Sequence, residues 1–227
     1  LGVKVIEVDL PDQTLVSGAQ MEGGAFAALA LLRDDPRIDP HRIGIMGVSK
    51  GGVATLNAAI AVRQRWRGGF PHLFDLHVAI CPGATAQHRD PTTHGRPMFF
   101  MLAARDDYTP APLAVEYAER MRAAGNGRIK VKVYGSAHHG WESIGPVFDI
   151  KDAENWSCCR NVIEDDGTHF IPAAGRTMSE PEYQAWARQH CVTRGARAGG
   201  GTPELKQRAT ADLLGFFAVH HQHALDQ

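Results

Sequence analysis

Apolar residues in this chain fall into short runs whose period switches repeatedly between two and about 3.6. Val3-Lys4-Val5-Ile6-Glu7-Val8-Asp9 alternates and is rich in β-branched residues, which predicts a strand. Across residues 18–32, Ala25, Phe26, Leu29, Ala30 and Leu32 lie at helical spacing despite the Gly23-Gly24 pair, and Asp34-Asp35-Pro36 stops that helix. Residues 42–48 form a short apolar run of the kind buried in a parallel sheet. Directly after it, residues 50–65 predict one helix with an apolar stripe of Val53, Leu56, Ala59, Ile60 and Val62.

The alternation then repeats. Residues 76–81 and 98–103 predict strands, and Thr109-Pro110 supplies an N-cap and a first-turn proline for a helix running to about Ala124. Gly125-Asn126-Gly127 ends that helix, and residues 129–134 alternate as another strand. A final helix over roughly 203–220 stacks Leu205, Leu213, Leu214, Phe217 and Val219. Strands alternating with helices pair in parallel with helices on both faces, so the predicted class is α/β. Residues 1–227 read as a single domain, in which 142–202 is a long, polar, turn-rich insertion before the last helix. Within it, Ser179-Glu180-Pro181-Glu182 has capping-box spacing and marks a short helix to about His190.

Composition narrows the classes of function. The 44% hydrophobic and 22% charged residues are ordinary for a folded domain, while 24 glycines in 227 residues predict frequent tight turns. Lys plus Arg (24) nearly balances Asp plus Glu (25), so the basic excess of a nucleic-acid binder is missing. No apolar run reaches the roughly 18 residues that span a bilayer. Neither nucleic acid nor membrane is therefore expected as a partner. Four cysteines are too few for a disulfide scaffold and lack Cys-x-x-Cys spacing for zinc. Cys81 ends an apolar run as a small buried hydrophobe, whereas Cys158, Cys159 and Cys191 lie in the polar insertion, with room for one disulfide. Twelve histidines invite a metal reading, above all His220, His221 and His223 with His138 and His139. The terminal trio has no carboxylate or thiolate constellation beside it, so no metal is expected. Asn155-Trp156-Ser157 matches a glycosylation sequon, read as accidental. The chain opens on Leu1 without a charged-then-apolar leader, which reads as a mature form or a fragment.

One pentapeptide carries chemistry. Gly47-Val48-Ser49-Lys50-Gly51 is a G-x-S-x-G sequence, for which this composition predicts roughly 0.07 chance occurrences. Its placement adds more, because a buried strand ends at Val48 and a helix begins near Lys50, the strand-to-helix elbow that an exposed nucleophile requires. So sharp a turn leaves no room for side chains at Gly47 and Gly51. The Lys50 backbone N–H at the helix start is the expected first oxyanion donor. A phosphate-cradling loop fits poorly, because it needs Gly-Lys-Ser/Thr where this chain has Ser49-Lys50-Gly51. A serine needs a histidine base and an acid to orient it, expected in that chain order on loops after later strands. Asp106 or Asp107 follows one strand, and His138 or His139 follows the next. Spacing alone leaves both pairs open.

A resemblance chooses within each pair. The stretch Asp39-Pro40-His41-Arg42-Ile43-Gly44-Ile45-Met46-Gly47-Val48-Ser49-Lys50-Gly51-Gly52 resembles the nucleophile region of dienelactone hydrolase-like α/β-hydrolases. Asp106-Asp107-Tyr108-Thr109-Pro110-Ala111 resembles that family's acid loop, whose acid sits four residues before the proline, which selects Asp106. Tyr134-Gly135-Ser136-Ala137-His138-His139-Gly140-Trp141 resembles its histidine loop, where the base precedes a small residue and an aromatic, which selects His139. Residues 161–167 and Cys191-Val192-Thr193-Arg194-Gly195-Ala196 look like a branch with an extended C-terminal segment.

The resemblance implies an α/β-hydrolase fold and a serine hydrolase that cleaves small carboxylic esters through an acyl-enzyme, with Ser49 as nucleophile, His139 as base, Asp106 as acid and no cofactor. The family proper is associated with a cysteine nucleophile, so Ser49 points to ester hydrolysis generally rather than to dienelactones. The resemblance also implies a Cys159–Cys191 disulfide with Cys158 free, which would point to an exported or periplasmic setting. Trp141 and Trp156 are candidates either for lining an acyl or alcohol pocket or for aromatic packing over the histidine loop. A second oxyanion donor normally follows an early strand and is often marked by a His-Gly-Gly-like sequence. The His-Gly pairs here, His94-Gly95 and His139-Gly140, both follow the nucleophile. The expectation is therefore that the first strands and the second donor are missing from this chain, supplied by an upstream segment or a second chain. Two rivals share the three loops: a prolyl-oligopeptidase-like peptidase, for whose usual access-limiting domain there is no room, and a non-catalytic scaffold acting as a binding module.

Overall fold

The computed structural model describes Glu7 and residues 18–222. The strand predicted at residues 3–9 therefore lies outside the described residues, apart from Glu7. Sixteen elements follow in the order α1 (Gly18–Arg33), β1 (Ile45–Val48), α2 (Lys50–Ala59), α3 (Ala61–Trp66), β2 (His77–Ile80), β3 (Ala86–His88), β4 (Met98–Ala103), α4 (Ala111–Ala123), β5 (Ile129–Tyr134), β6 (Val147–Asn155), β7 (Asn161–Ile163), β8 (His169–Ile171), β9 (Arg176–Met178), α5 (Glu180–His190), β10 (Thr193–Gly199) and α6 (Pro203–Gln222).

The main sheet runs β1-β2-β4-β5, parallel at every pairing. One row of its register reads Gly47, Ala79, Phe100, Val131. The inner strands β2 and β4 are buried at every residue, which is why their sequences are continuous apolar runs rather than alternations. At the β5 edge the exposed Lys130 and Lys132 discourage pairing with another strand. Successive side chains of β4 serve opposite faces. Phe100 and Leu102 join Leu56, Ile60, Ala118 and Met121 beneath α2, α3 and α4. Phe99 and Met101 join Leu205, Ala209 and Phe216 beneath α6, with the Phe99 and Phe216 rings 5.2 Å apart. Helix α1 packs Phe26 and Leu29 against Ala58 and Phe74, and its buried Glu22 pairs with Arg63 and Arg67 of the α3 region.

Three predictions about elements need correction. The helix expected over 50–65 is two helices, because Ile60 is extended (φ −75°, ψ 126°) and bridges Thr93. The Ala61 N–H donates to Thr92 C=O at 2.9 Å and the His94 N–H to Ala59 C=O at 3.0 Å. Ile60 is wholly buried in its extended conformation, so its apolar character fits the stripe and gives no sign of the break. The run 42–48 pairs only from Ile45 onward, since Arg42 closes a turn on Asp39 and the Ile43 N–H is taken by the Asp75 carboxylate. The insertion 142–202 holds five strands beside the predicted short helix, not turns alone. β6 and β10 pair antiparallel with an irregularity at Gly195, and β7, β8 and β9 extend β3 into a second four-stranded sheet. Strands of three residues bury too few side chains to print a periodic signature. α5 begins as predicted, with the Ser179 N–H donating to the Glu182 carboxylate at 2.8 Å.

The small core of this insertion is Ile171, Met178, Tyr183, Ala187 and Cys159, and Cys159 is bridged to Cys191 across 32 residues of sequence. A loop of that length constrains the unfolded chain by about 3–4 kcal/mol. Cys191→Ala is expected to lower the unfolding free energy by up to about that amount, seen as a lower urea midpoint. A reductant should reproduce the shift in the native protein and add nothing in the variant.

Candidate active site

β1 ends at Val48 and α2 starts at Lys50, which leaves Ser49 alone to turn the chain. Its backbone lies at φ 54° and ψ −115°, a strained conformation for a residue with a side chain, costing on the order of 1–3 kcal/mol. Backbone hydrogen bonds hold the turn: the Ser49 N–H donates to Ile80 C=O at 2.9 Å, and the Val53 N–H to Ser49 C=O at 3.0 Å. The turn brings Gly47 so close to the next helix that a Cβ on it would sit 2.2 Å from the Gly51 carbonyl group. The expectation for Gly51 is corrected, because a Cβ there would meet nothing within 4 Å. Gly52 is the second tight position, 3.0 Å from the Ile80 oxygen, since it is the helix residue that faces β2. As the first helical residue, Lys50 has a backbone N–H without an intrahelical acceptor, as an anion donor must.

Asp106 follows β4 and is held from several sides. Its Oδ1 accepts the N–H groups of Tyr108 (2.9 Å) and Thr109 (2.7 Å). Its Oδ2 lies 2.7 Å from the Thr109 hydroxyl and 2.9 Å from His139 Nδ1. The side chain is 1% exposed. Burial by itself pushes the carboxyl pKa up, but hydrogen bonds from His139 and Thr109 outweigh it and hold the group below the ordinary aspartate value. Asp106 is therefore an anion at neutral pH. An ionised Oδ2 accepts the proton on Nδ1, which leaves the Nε2 lone pair of His139 free. That nitrogen lies 3.0 Å from Ser49 Oγ. The Tyr108 ring stands edge-on to the imidazole at 5.0 Å. Ser49, His139 and Asp106 thus form one continuous hydrogen-bonded line, able to move a proton from the hydroxyl to the ring.

Their neighbours in sequence do other things. His138 is buried, and its Nδ1 has no hydrogen-bond partner among the described residues. Asp107 accepts the Arg197 N–H at 2.9 Å, tying its loop to β10. Trp141 is corrected as a pocket-lining residue: it is 2% exposed, tilted against Tyr134 with ring centroids 4.7 Å apart, and donates from Nε1 to Cys81 Sγ at 3.2 Å. Trp156 packs against the small core of the insertion.

Sequence reasoning missed several residues of this region. Thr109 is not the cap of α4; Pro110 occupies that position, and the Thr109 hydroxyl is engaged by Asp106 Oδ2 and, at 3.0 Å, by Cys81 C=O. Cys81, buried as expected, adopts φ 43° beside them. Asn155 donates to Asp107 C=O (3.1 Å) and Gly195 C=O (2.9 Å), and the Gly199 N–H donates to His139 C=O at 2.7 Å. No local signal could join residues so far apart in sequence.

Comparison with known proteins gives one family. The model described as "Dienelactone hydrolase family" matches residues 11–155. No curated protein sequence matches the chain. Among solved structures, MGS-M1, an α/β hydrolase enzyme from a Medee basin deep-sea metagenome library, is 22% identical, with 53% of this chain and 50% of that one covered and a TM-score of 0.43. Zea mays acyl-protein thioesterase 2 is 19% identical over 58% and 62%, at 0.43. Esterase Est2 of Thermogutta terrifontis is 19% identical over 59% of each chain, at 0.47. The chain thus spans between half and about three-fifths of the length of these structures.

Two predictions follow from the geometry. Gly47→Ala puts a Cβ into backbone that no side-chain motion can clear, so it should cost at least about 2 kcal/mol in urea unfolding. Gly51→Ala should stay within about 1 kcal/mol of the native protein. The stabilisation due to the Asp106 charge is complete above the unfolded aspartate pKa of about 3.9 and is lost as pH falls through the lower folded value. The stability gap between native protein and Asp106→Asn should therefore be level above about pH 5 and close on further acidification.

Proposed function

Because the chain belongs to the dienelactone hydrolase family of α/β-hydrolases, we propose that it is a serine hydrolase of small carboxylic esters, working through an acyl-enzyme and without a cofactor. The observation that carries this reading is the pair of contacts on one imidazole, 3.0 Å from Nε2 to Ser49 Oγ and 2.9 Å from Nδ1 to Asp106 Oδ2.

His139 Nε2 takes the Ser49 proton as Oγ attacks the acyl carbon. Charge then develops on the former carbonyl oxygen, where the Lys50 N–H and the amino-terminal end of α2 stabilise it. One such donor contributes about 2.7–4 kcal/mol to the transition state, and the reaction calls for a second, to which we assign none of the described residues. The imidazolium, steadied by the Asp106 carboxylate, returns its proton to the leaving alkoxide as the tetrahedral adduct collapses to an acyl-serine. His139 next deprotonates a water that attacks the ester, and the same proton returns to Ser49 Oγ as the acid departs.

A fluorophosphonate probe should form one adduct, on Ser49. Ser49→Ala and His139→Ala should abolish it and lower hydrolysis of a p-nitrophenyl ester by at least about 10³-fold. His138→Ala should keep most of both. A folded protein that takes no label would instead be a binding scaffold, and loss of labelling in His138→Ala alone would exchange the two histidines.

A further inference from the structure

One buried nucleophilic group beside the proposed machinery has no part in the reaction above. Cys81 follows β2 in a left-handed conformation, φ 43°, that residues with side chains seldom adopt. Its thiol is brought against the Asp106–His139 pair, so that Cys81 Sγ, a carboxylate oxygen of Asp106 and a ring nitrogen of His139 all lie within 4.8 Å of one another. The Trp141 Nε1–H, donating to Sγ at 3.2 Å, fixes where the sulfur stands.

We propose that Cys81, Asp106 and His139 form an inhibitory site for a thiophilic divalent cation of the zinc–cadmium type. Its inhibitory consequence rests on reading His139 as the base. The donor set is one sulfur, one imidazole nitrogen and one carboxylate oxygen, the mixture such ions favour. Bond lengths of about 2.3 Å to sulfur and about 2.0–2.2 Å to nitrogen and oxygen place tetrahedral donors roughly 3.3–3.6 Å apart, so the sulfur closes in by up to about an ångström while Oδ2 and Nδ1, 2.9 Å apart, part slightly. The Thr109 hydroxyl, 2.7 Å from Oδ2 and 3.1 Å from Nδ1, offers a neutral oxygen for a fourth position. Mg²⁺ and Ca²⁺ take six or more oxygens and have no such cage here.

The chemistry balances simply. The ion binds the thiolate, and the thiol proton passes to solvent. It also binds the Nδ1 lone pair, so the neutral ring carries its one proton on Nε2 instead. A ring protonated at Nε2 donates to Ser49 Oγ and has no lone pair there to accept the hydroxyl proton. The cation therefore disables the base without touching the nucleophile. Because all three residues are buried, the ion enters as the loops open, and inhibition develops with time.

The test uses Cd²⁺ on the Cys158→Ser protein, since Cys158 is an exposed thiol that would itself bind cadmium. We expect one equivalent to raise the ultraviolet thiolate-to-cadmium charge-transfer band in step with loss of esterase activity. EDTA should reverse both, and Mg²⁺ should cause neither. Adding Cys81→Ala should leave hydrolysis near the native rate, remove the band and raise the inhibitory Cd²⁺ concentration at least tenfold. Should that variant not fold, His139→Asn keeps the thiol and should weaken the band-detected affinity at least tenfold. Unchanged inhibition without Cys81, or a band indifferent to His139, overturns the proposal. A His139-dependent band in a protein that hydrolyses no ester keeps the metal site and removes the esterase reading; an active esterase without the band does the reverse.

Discussion

Parallel pairing of β1, β2, β4 and β5 is the constraint on which the site depends. Parallel strands end on the same side of a sheet, so Ser49, Cys81, Asp106 and His139 all emerge at one edge although 90 residues separate the first from the last. Register sets the finer spacing. Val48 lies beside Ile80, Ile80 beside Met101, and Ala103 beside Tyr134, so each loop begins within a residue or two of its neighbour's. The Arg105 N–H then donates to Ala137 C=O at 2.9 Å, coupling the loop of Asp106 to the loop of His139 before any side chain meets. A slip of one residue along β4 would exchange Phe100 and Leu102, which pack beneath α2, α3 and α4, with Phe99 and Met101, which pack beneath α6, and misfit both cores, which is why the register holds.

The insertion after β5 braces these loops from outside. β10 reaches both of them, with the Gly199 N–H on His139 C=O and the Arg197 N–H on the Asp107 carboxylate, and Asn155 of β6 adds a bond to Asp107 C=O. An imidazole serving two partners at hydrogen-bond distance tolerates little drift, so a rigid support behind it has mechanical value. The small sheet buries few large side chains, and the Cys159–Cys191 bridge supplies the constraint that a small core lacks.

Buried ionisable groups behave differently at different places in this molecule. Asp106 stays charged because its oxygens are met by two backbone N–H groups, a hydroxyl and an imidazole. The buried ring nitrogens of His77 and His88 have no hydrogen-bond partner among the described residues, and burial drives each pKa down to about 3, leaving both neutral. Burial alone silences a titratable group; burial with preorganised donors makes a fixed charge. Only the second kind can steady an imidazolium.

The sequence by itself determined the α/β class, the strands of the main sheet, the elbow at Ser49 and the two short loops that carry the acid and the base, because each is written in neighbouring residues. Periodicity, Gly47 before a helix start, and the pairs Asp106-Asp107 and His138-His139 after two strands are all local patterns. Asp106 was singled out over Asp107, and His139 over His138, by resemblance, and the structure then aims the two nitrogens of His139 at Ser49 and Asp106. What only the tertiary structure decided is whatever depends on contacts between distant segments. The break at Ile60 arises from a bridge to Thr93, the crowding at Gly52 from the backbone of β2, and the engagement of Thr109 from Cys81 and Asp106. Three-residue strands in the insertion exist only because a partner strand satisfies their backbone, and a pattern read along one chain segment holds no record of its partner.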